Sequence, residues 1–138
     1  MSQENIEIVR RAIAAVNDRD IDRYLDCCTA DVQLRLRTQS GAFGGVFKGP
    51  EGIRRFEAEI DDTGPDFRID VERLEPVKSD RVLAFLRITL HGHTSGIAAA
   101  DETPTANIYD LVDGKISRIR IFTDRAEALE AAGLPTSE

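Results

Sequence analysis

The stretch TANIYDLVDGKISRIRIFT, Thr105 to Thr123, decides the fold class. Asp113-Gly114 lies at its centre, and this dipeptide readily adopts the positive φ angles of a tight two-residue turn. The flanking segments, Thr105 to Val112 and Lys115 to Thr123, are therefore the arms of a β-hairpin. In the first arm Asn107 and Tyr109 share one face, with Ile108 and Asp110 on the other. In the second, Ile119 and Ile121 alternate with Arg118 and Arg120. Successive side chains of a strand point to opposite faces, so one face of this hairpin is largely apolar and the other mixes charge with apolar anchors.

The same alternation recurs upstream. Arg81 to Thr94 sets Ala84, Leu86, Ile88 and Leu90 against Phe85, Arg87, Thr89 and His91. Asp66 to Leu74 sets Phe67, Ile69 and Val71 against Arg68, Asp70 and Glu72. Asp31 to Arg37 sets Val32, Leu34 and Leu36 against Gln33, Arg35 and Arg37. Residues 38 to 49, with Gly41, Gly44, Gly45 and Gly49, and residues 95 to 103 read as loops. Helical periodicity occupies the rest of the N-terminal half. Ile6, Val9, Ile13 and Val16 form a stripe, and Asp20 is placed to cap a short second helix carrying Ile21, Tyr24, Leu25 and Cys28. Pro50 opens a third helix with Ile53, Phe56 and Ile60 on its apolar face, and Gly64-Pro65 ends it. Asp124 is placed to cap a last helix that runs through Leu129 and stops before Gly133 and Pro135.

Helix, helix, strand, helix and then four strands in hairpin succession predict an α+β fold with helices against a mainly antiparallel sheet. The expected shape is a cone. A curved sheet, three helices from the N-terminal half and a short C-terminal helix surround one pocket in a single domain, residues 1–138.

Composition narrows the function classes. The chain has 138 residues, 41% hydrophobic and 31% charged, which is enough to bury a core without disulfides or metals. A net charge of −7 argues against a nucleic-acid partner, since phosphate binding requires a basic surface. The apolar runs are too short to cross a membrane, and Met1 to Asn5 lacks a signal-peptide pattern, so a cytoplasmic location is expected. Cys27 and Cys28 are adjacent, ill placed to pair with each other, and too few for a cysteine zinc site. They are expected to be small apolar residues at a helix end.

The order of elements, together with particular motifs, resembles the nuclear transport factor 2-like superfamily and within it the SnoaL-like group. The motifs are Asn17-Asp18-Arg19-Asp20-Ile21, Thr29-Ala30-Asp31-Val32, Phe47-Lys48-Gly49-Pro50-Glu51-Gly52-Ile53, His91-Gly92-His93-Thr94-Ser95-Gly96, Asp113-Gly114-Lys115-Ile116 and Asp124. The resemblance spans nearly the whole chain. It implies the cone fold, but this fold hosts isomerases, cyclases, dehydratases and non-enzymatic binders. The ketosteroid isomerase pattern of a carboxylate base, a tyrosine and a protonated aspartic acid falls here on Leu36, Ala12 and Asn107. Leucine accepts no proton and alanine donates no hydrogen bond, so that chemistry is not expected. The acid–base positions of the SnoaL-like cyclases fall on Ile119 and Ile121, which are also apolar.

What remains is an apolar pocket with a few polar groups. Leu34, Leu36, Phe56, Leu86, Ile88, Leu90, Ile119 and Ile121 are expected to line or back it, with Val32 and Ile69. Asn107, Tyr109 and Tyr24 are expected to orient a small hydrophobic ligand. Asn107 is the most informative, because an amide among aliphatic side chains is costly without a partner. His91 and His93 share a strand face, but a third metal ligand would have to come from Asp101 or Glu102, and no metal is expected. No glycine-rich phosphate loop of recognised spacing is present, and no cofactor is expected. One alternative is an isomerase, cyclase or dehydratase that uses His93 or Tyr24 with Asn107. Another is a dimerisation module whose cavity is filled by side chains. The outward face with Phe85, Arg87, Ile108, Arg118, Arg120 and Phe122 suits an interface, and the resemblance implies a homodimer through it.

Overall fold

Asp113 and Gly114 have φ angles of 53° and 78°, the pair of positive values that closes a two-residue hairpin. The turn joins β5 (Ala100–Val112) to β6 (Lys115–Phe122), and the register sets Asn107 opposite Ile121 and Tyr109 opposite Ile119. The structure, a computed structural model, describes residues 2–37, 45–62, 68–78, 80–91, 100–122 and 124–133. Before the hairpin come α1 (Ser2–Asn17), α2 (Ile21–Asp26), β1 (Cys28–Arg37), β2 (Gly45–Lys48), α3 (Gly49–Asp62), β3 (Arg68–Val77) and β4 (Arg81–His91), and α4 (Arg125–Ala132) follows it. The fold is α+β. Its mixed sheet is curved and unclosed, in the order β2-β1-β6-β5-β4-β3, with β1 parallel to β6 and every other neighbouring pair antiparallel.

Alternation along the strands divides the apolar residues between two faces. Val32, Leu34, Ala84, Leu86, Tyr109 and Ile119 point inward and pack beneath α1, α2 and α3. Helix α1 supplies Val9, Ala12, Ile13 and Val16, whose 3-4 spacing puts them on one side. The amide of Asn17, at the end of α1, donates to the carbonyl of Ile69 and accepts from its N–H, each at 2.8 Å. It thereby replaces a strand neighbour at the edge of β3 and fixes the helix over the sheet.

The opposite face has its own apolar cluster of Leu83, Phe85, Ala106, Ile108 and Phe122, covered by Ala128, Leu129 and Ala132 of α4. The pattern predicted all four helices around the pocket; α4 instead covers the far side of the sheet. Arg125 holds it there. Its Nε donates to the carbonyl of Thr105 at 3.2 Å, and its Nη2 reaches the carbonyl of Leu86 at 2.8 Å and Glu72 at 2.9 Å. The guanidinium also lies 5.5 Å from the Phe85 ring centroid. Three residues expected to anchor a dimer, Phe85, Ile108 and Phe122, are thus already buried within one chain. Arg87, Arg118 and Arg120 remain partly exposed on that face.

Two segments expected to be loops contain strand. Gly45–Lys48, inside 38–49, is the edge strand β2, paired from Lys48 opposite Gln33 to Gly45 opposite Leu36. Helix α3 leans directly on it, since a Cβ on Gly52 would come within 2.8 Å of the Phe47 carbonyl carbon. The strand β5 begins at Ala100, within 95–103, because Ala100 to Pro104 pair with His91 to Arg87. A bulge between Val71 and Arg73 turns Leu74 inward with Ile69 and Val71. Cys27 ends α2 and Cys28 opens β1. Both are buried free thiols, and burial pushes the Cys28 thiol up to about 12, so it is not a nucleophile at neutral pH. Among the described residues no helix is long and apolar enough to cross a membrane.

Candidate functional site

Between the inward face of the sheet and the three N-terminal helices lies a cavity of about 190 Å³. Helix α1 contributes Ala12, Ile13 and Val16 to its wall, α2 contributes Tyr24, and α3 contributes Phe56 and Glu57. The sheet adds Leu34 from β1, Ile69 from β3 and Ile88 from β4, then Thr105, Asn107 and Tyr109 from β5 and Ile119 and Ile121 from β6. Among the described residues no lysine or arginine lines it. Parity puts Thr105, Asn107 and Tyr109 on one face of β5, and the register shift between Asp110 and Leu111, which sets Asn107 opposite Ile121 and Tyr109 opposite Ile119, makes that face the inner one.

Most of the residues expected to form the pocket meet there. Leu34, Phe56, Ile88, Ile119, Ile121, Tyr24, Asn107 and Tyr109 line the cavity. Leu86 and Val32 are fully buried in the same core but stand behind the wall. The side chains of Leu36, Leu90 and His91 lie outside the described residues, and so does the whole of His93. The side chains of Asp101 and Glu102 fall outside them too. Among the described residues no group of three or more His, Cys, Asp or Glu could hold a metal ion.

The polar geometry centres on Asn107, which is 6% exposed. Its Nδ2 donates to the hydroxyl oxygen of Tyr109 at 3.1 Å. Its Oδ1 is buried and has no hydrogen-bond partner among the described residues, and the same holds for the Oγ1 of Thr105, which is 3% exposed. Because Asn107 already donates to the Tyr109 oxygen, the phenolic proton is left to donate elsewhere. Burial raises the Tyr109 hydroxyl, against the opposing hydrogen bond from Asn107, to about 12. Burial also drives Tyr24 well above its ordinary value, reinforced by Tyr109, Cys28 and Glu57. Both phenols are therefore protonated at neutral pH and act as hydrogen-bond donors, not bases.

Sequence patterning left two of these groups out. Glu57 is 8% exposed and lines the cavity, so the pocket does contain a carboxyl group. It lies four residues after Ile53 and one after Phe56, within the apolar stripe of α3, and a carboxylate at that position is the signal that marks it. Thr105 shares parity with Asn107 and Tyr109, and was legible on that ground.

Residues 9–119 match the sequence profile of the SnoaL-like domain. The chain belongs to that family. Among the curated proteins none matches this SnoaL-like domain. Solved structures share its fold. TerC, co-crystallised with polyporic acid, is 24% identical and superposes with a TM-score of 0.74, covering 94% of this chain and 98% of its own. A cystatin-fold protein from Novosphingobium aromaticivorans is 25% identical with a TM-score of 0.70, covering 88% of this chain and 97% of its own. A protein from Jannaschia sp. CCS1, assigned to the SnoaL-like polyketide cyclases, is 20% identical with a TM-score of 0.73, covering 97% and 94%. At these identities the likeness establishes the fold of the SnoaL-like domain and leaves its chemistry to its own residues.

Proposed function

We propose that the chain binds a small, largely apolar molecule in this cavity, oriented by the Asn107–Tyr109 pair. The observation that carries the proposal is Asn107 Oδ1, a buried acceptor without a hydrogen-bond partner among the described residues, set in a wall of aliphatic side chains. Leaving such a group unsatisfied costs about 1–3 kcal/mol, which a ligand hydroxyl or amine proton would recover. An apolar cavity of about 150 Å³ holds one benzene ring. The roughly 190 Å³ here therefore suits a single ring with a small substituent. That TerC, of the same fold, was co-crystallised with polyporic acid supports a small-molecule role.

The test is a calorimetric titration of the chain with 4-methylphenol and with toluene. Binding of 4-methylphenol, weakened about tenfold by Asn107→Leu while toluene is unaffected, supports the proposal. Equal binding of 4-methylphenol by native and variant chains refutes it.

One observation favours a second reading, an isomerase, cyclase or dehydratase. The Glu57 carboxyl lines the same cavity as two protonated phenols and an amide. A carboxylate beside such donors has the parts to move a proton while the donors stabilise developing oxyanion charge. In this reading Glu57 is the proton-transfer group among the described residues, and Tyr24 donates with Asn107. Turnover that falls in Tyr24→Phe and disappears in Glu57→Gln, with ligand affinity retained in Glu57→Gln, separates catalysis from binding.

A further inference from the structure

Strand β5 turns three polar side chains into the cavity in sequence, Thr105, Asn107 and Tyr109. Tyr109 and Asn107 satisfy one another in part. Thr105 Oγ1 has no hydrogen-bond partner among the described residues, although it is 3% exposed and lines an apolar wall. The backbone here is firmly held. The pairing of β5 with β6 runs from Ala106 opposite Phe122 to Val112, and Arg125 Nε takes the carbonyl of the next residue, Thr105, at 3.2 Å. The Thr105 hydroxyl is thus fixed on the inner face by the strand and by a contact on the far side of the sheet. Valine has the same shape and no oxygen to satisfy, and a buried hydroxyl left without a partner costs stability that an incoming partner would recover. That is the mark of a group whose partner comes from outside the chain.

We propose that Thr105 is a second polar anchor of the cavity. Thr105 and Asn107 together then select a ring compound that carries two hydrogen-bonding groups, at least one of them an alcohol or phenol donor. The donor requirement follows from Asn107 Oδ1, which can only accept, whereas the threonine hydroxyl can donate or accept. The spacing follows from the strand: side chains two residues apart on one face are about 7 Å apart, roughly the distance between substituents at opposite ends of one aromatic ring. The proposal rests on the small-molecule reading above and adds a specificity to it.

The experiment compares 4-methylphenol with 4-hydroxybenzyl alcohol, which differs by a second hydroxyl at the far end of the ring. Each is titrated into the native chain, Thr105→Val and Asn107→Leu, and the melting temperature of each variant is measured without ligand. The native chain is expected to prefer 4-hydroxybenzyl alcohol about fivefold. In Thr105→Val that preference disappears, the affinity for 4-methylphenol is unchanged, and the melting temperature rises. A native chain with no preference, a preference that survives Thr105→Val, or a Thr105→Val chain that melts lower would each overturn the proposal. If 4-methylphenol binds through Asn107 but the second hydroxyl adds nothing, only the role of Thr105 fails. If neither compound binds, the small-molecule reading fails with it.

Discussion

Ala12 and Ala15 lie three residues apart on α1, both buried at 1% and 0% exposure, yet the structure assigns them opposite responses to enlargement. Ala12 lines the cavity, whereas Ala15 packs in the core away from it. Ala12→Leu places additional carbon groups in open apolar space. At about 0.8 kcal/mol per buried carbon group, three of them give an upper value of about 2 kcal/mol, and imperfect packing leaves about 1–2 kcal/mol of stabilisation. The helix itself contributes little, since alanine and leucine have similar propensities. Ala15→Leu forces the same volume into filled space and should cost about 1–3 kcal/mol. Guanidinium denaturation followed by circular dichroism reads both changes as shifts of midpoint at constant slope. Ala12→Leu should also abolish binding of 4-methylphenol by occupying its place. If the two variants lose stability alike, the cavity is closed in solution and the chain is better understood as a packed module without a ligand.

Other consequences concern charge. Asp110 receives hydrogen bonds from Arg81 at 2.7 Å and Arg118 at 2.8 Å, with Arg120 at 3.3 Å. Burial acts to raise its carboxyl, but the hydrogen bonds from Arg81 and Arg118 outweigh it and hold the group below its ordinary range. Because it titrates lower in the folded than in the unfolded chain, its stabilisation is complete above about pH 4 and is lost as pH falls through the folded value. Asp110→Asn should therefore melt lower at neutral pH and lose less between pH 5 and pH 2 than the native chain; an identical loss contradicts the assignment. A homodimer through the outer face of the sheet remains a proposal. With Phe85, Ile108 and Phe122 covered by α4, its contact would fall on Arg87, Arg118 and Arg120. Sedimentation should show a dimer that weakens as salt rises, because exposed charge pairs are screened. A monomer at low salt, or a dimer indifferent to salt, would refute this interface.

The parts of the fold legible in the sequence are those set by local pattern. The Asp113-Gly114 turn, the Asp20 and Asp124 caps and the period-two parity of β4, β5 and β6 all follow from neighbouring residues. That parity groups Asn107 with Tyr109 and Ile119 with Ile121, but the SnoaL-like resemblance, not the alternation, turns the two pairs inward. The register shift between Asp110 and Leu111 is what sets them on one pocket wall. Nonlocal pairing decided the rest. Four residues, Gly45 to Lys48, become a strand because β1 offers them an edge, and the glycines before them conceal it. Ala100 to Pro104 are drawn into β5 by β4 despite Pro104 and two acidic residues. The outer-face cluster of Phe85, Ile108 and Phe122 correctly signals a surface that needs covering. Element order, though, does not say whether a second copy or the chain's own last helix supplies the cover, and here it is α4. Glu57 was hidden for another reason: an acidic residue within a helical stripe is usually at its rim, and only the placement of α3 against the sheet shows it facing the cavity.

Methyl-labelled nuclear magnetic resonance offers the most direct observation of the binding site. With the isoleucine and valine methyls resolved, bound 4-methylphenol should give intermolecular Overhauser contacts to Ile13, Ile69, Ile88, Ile119 and Ile121, the isoleucines that line the cavity. These contacts should be absent in Ala12→Leu. Contacts confined to surface methyls such as those of Val46 and Val112, or the same contacts in Ala12→Leu, would show that the ligand sits elsewhere.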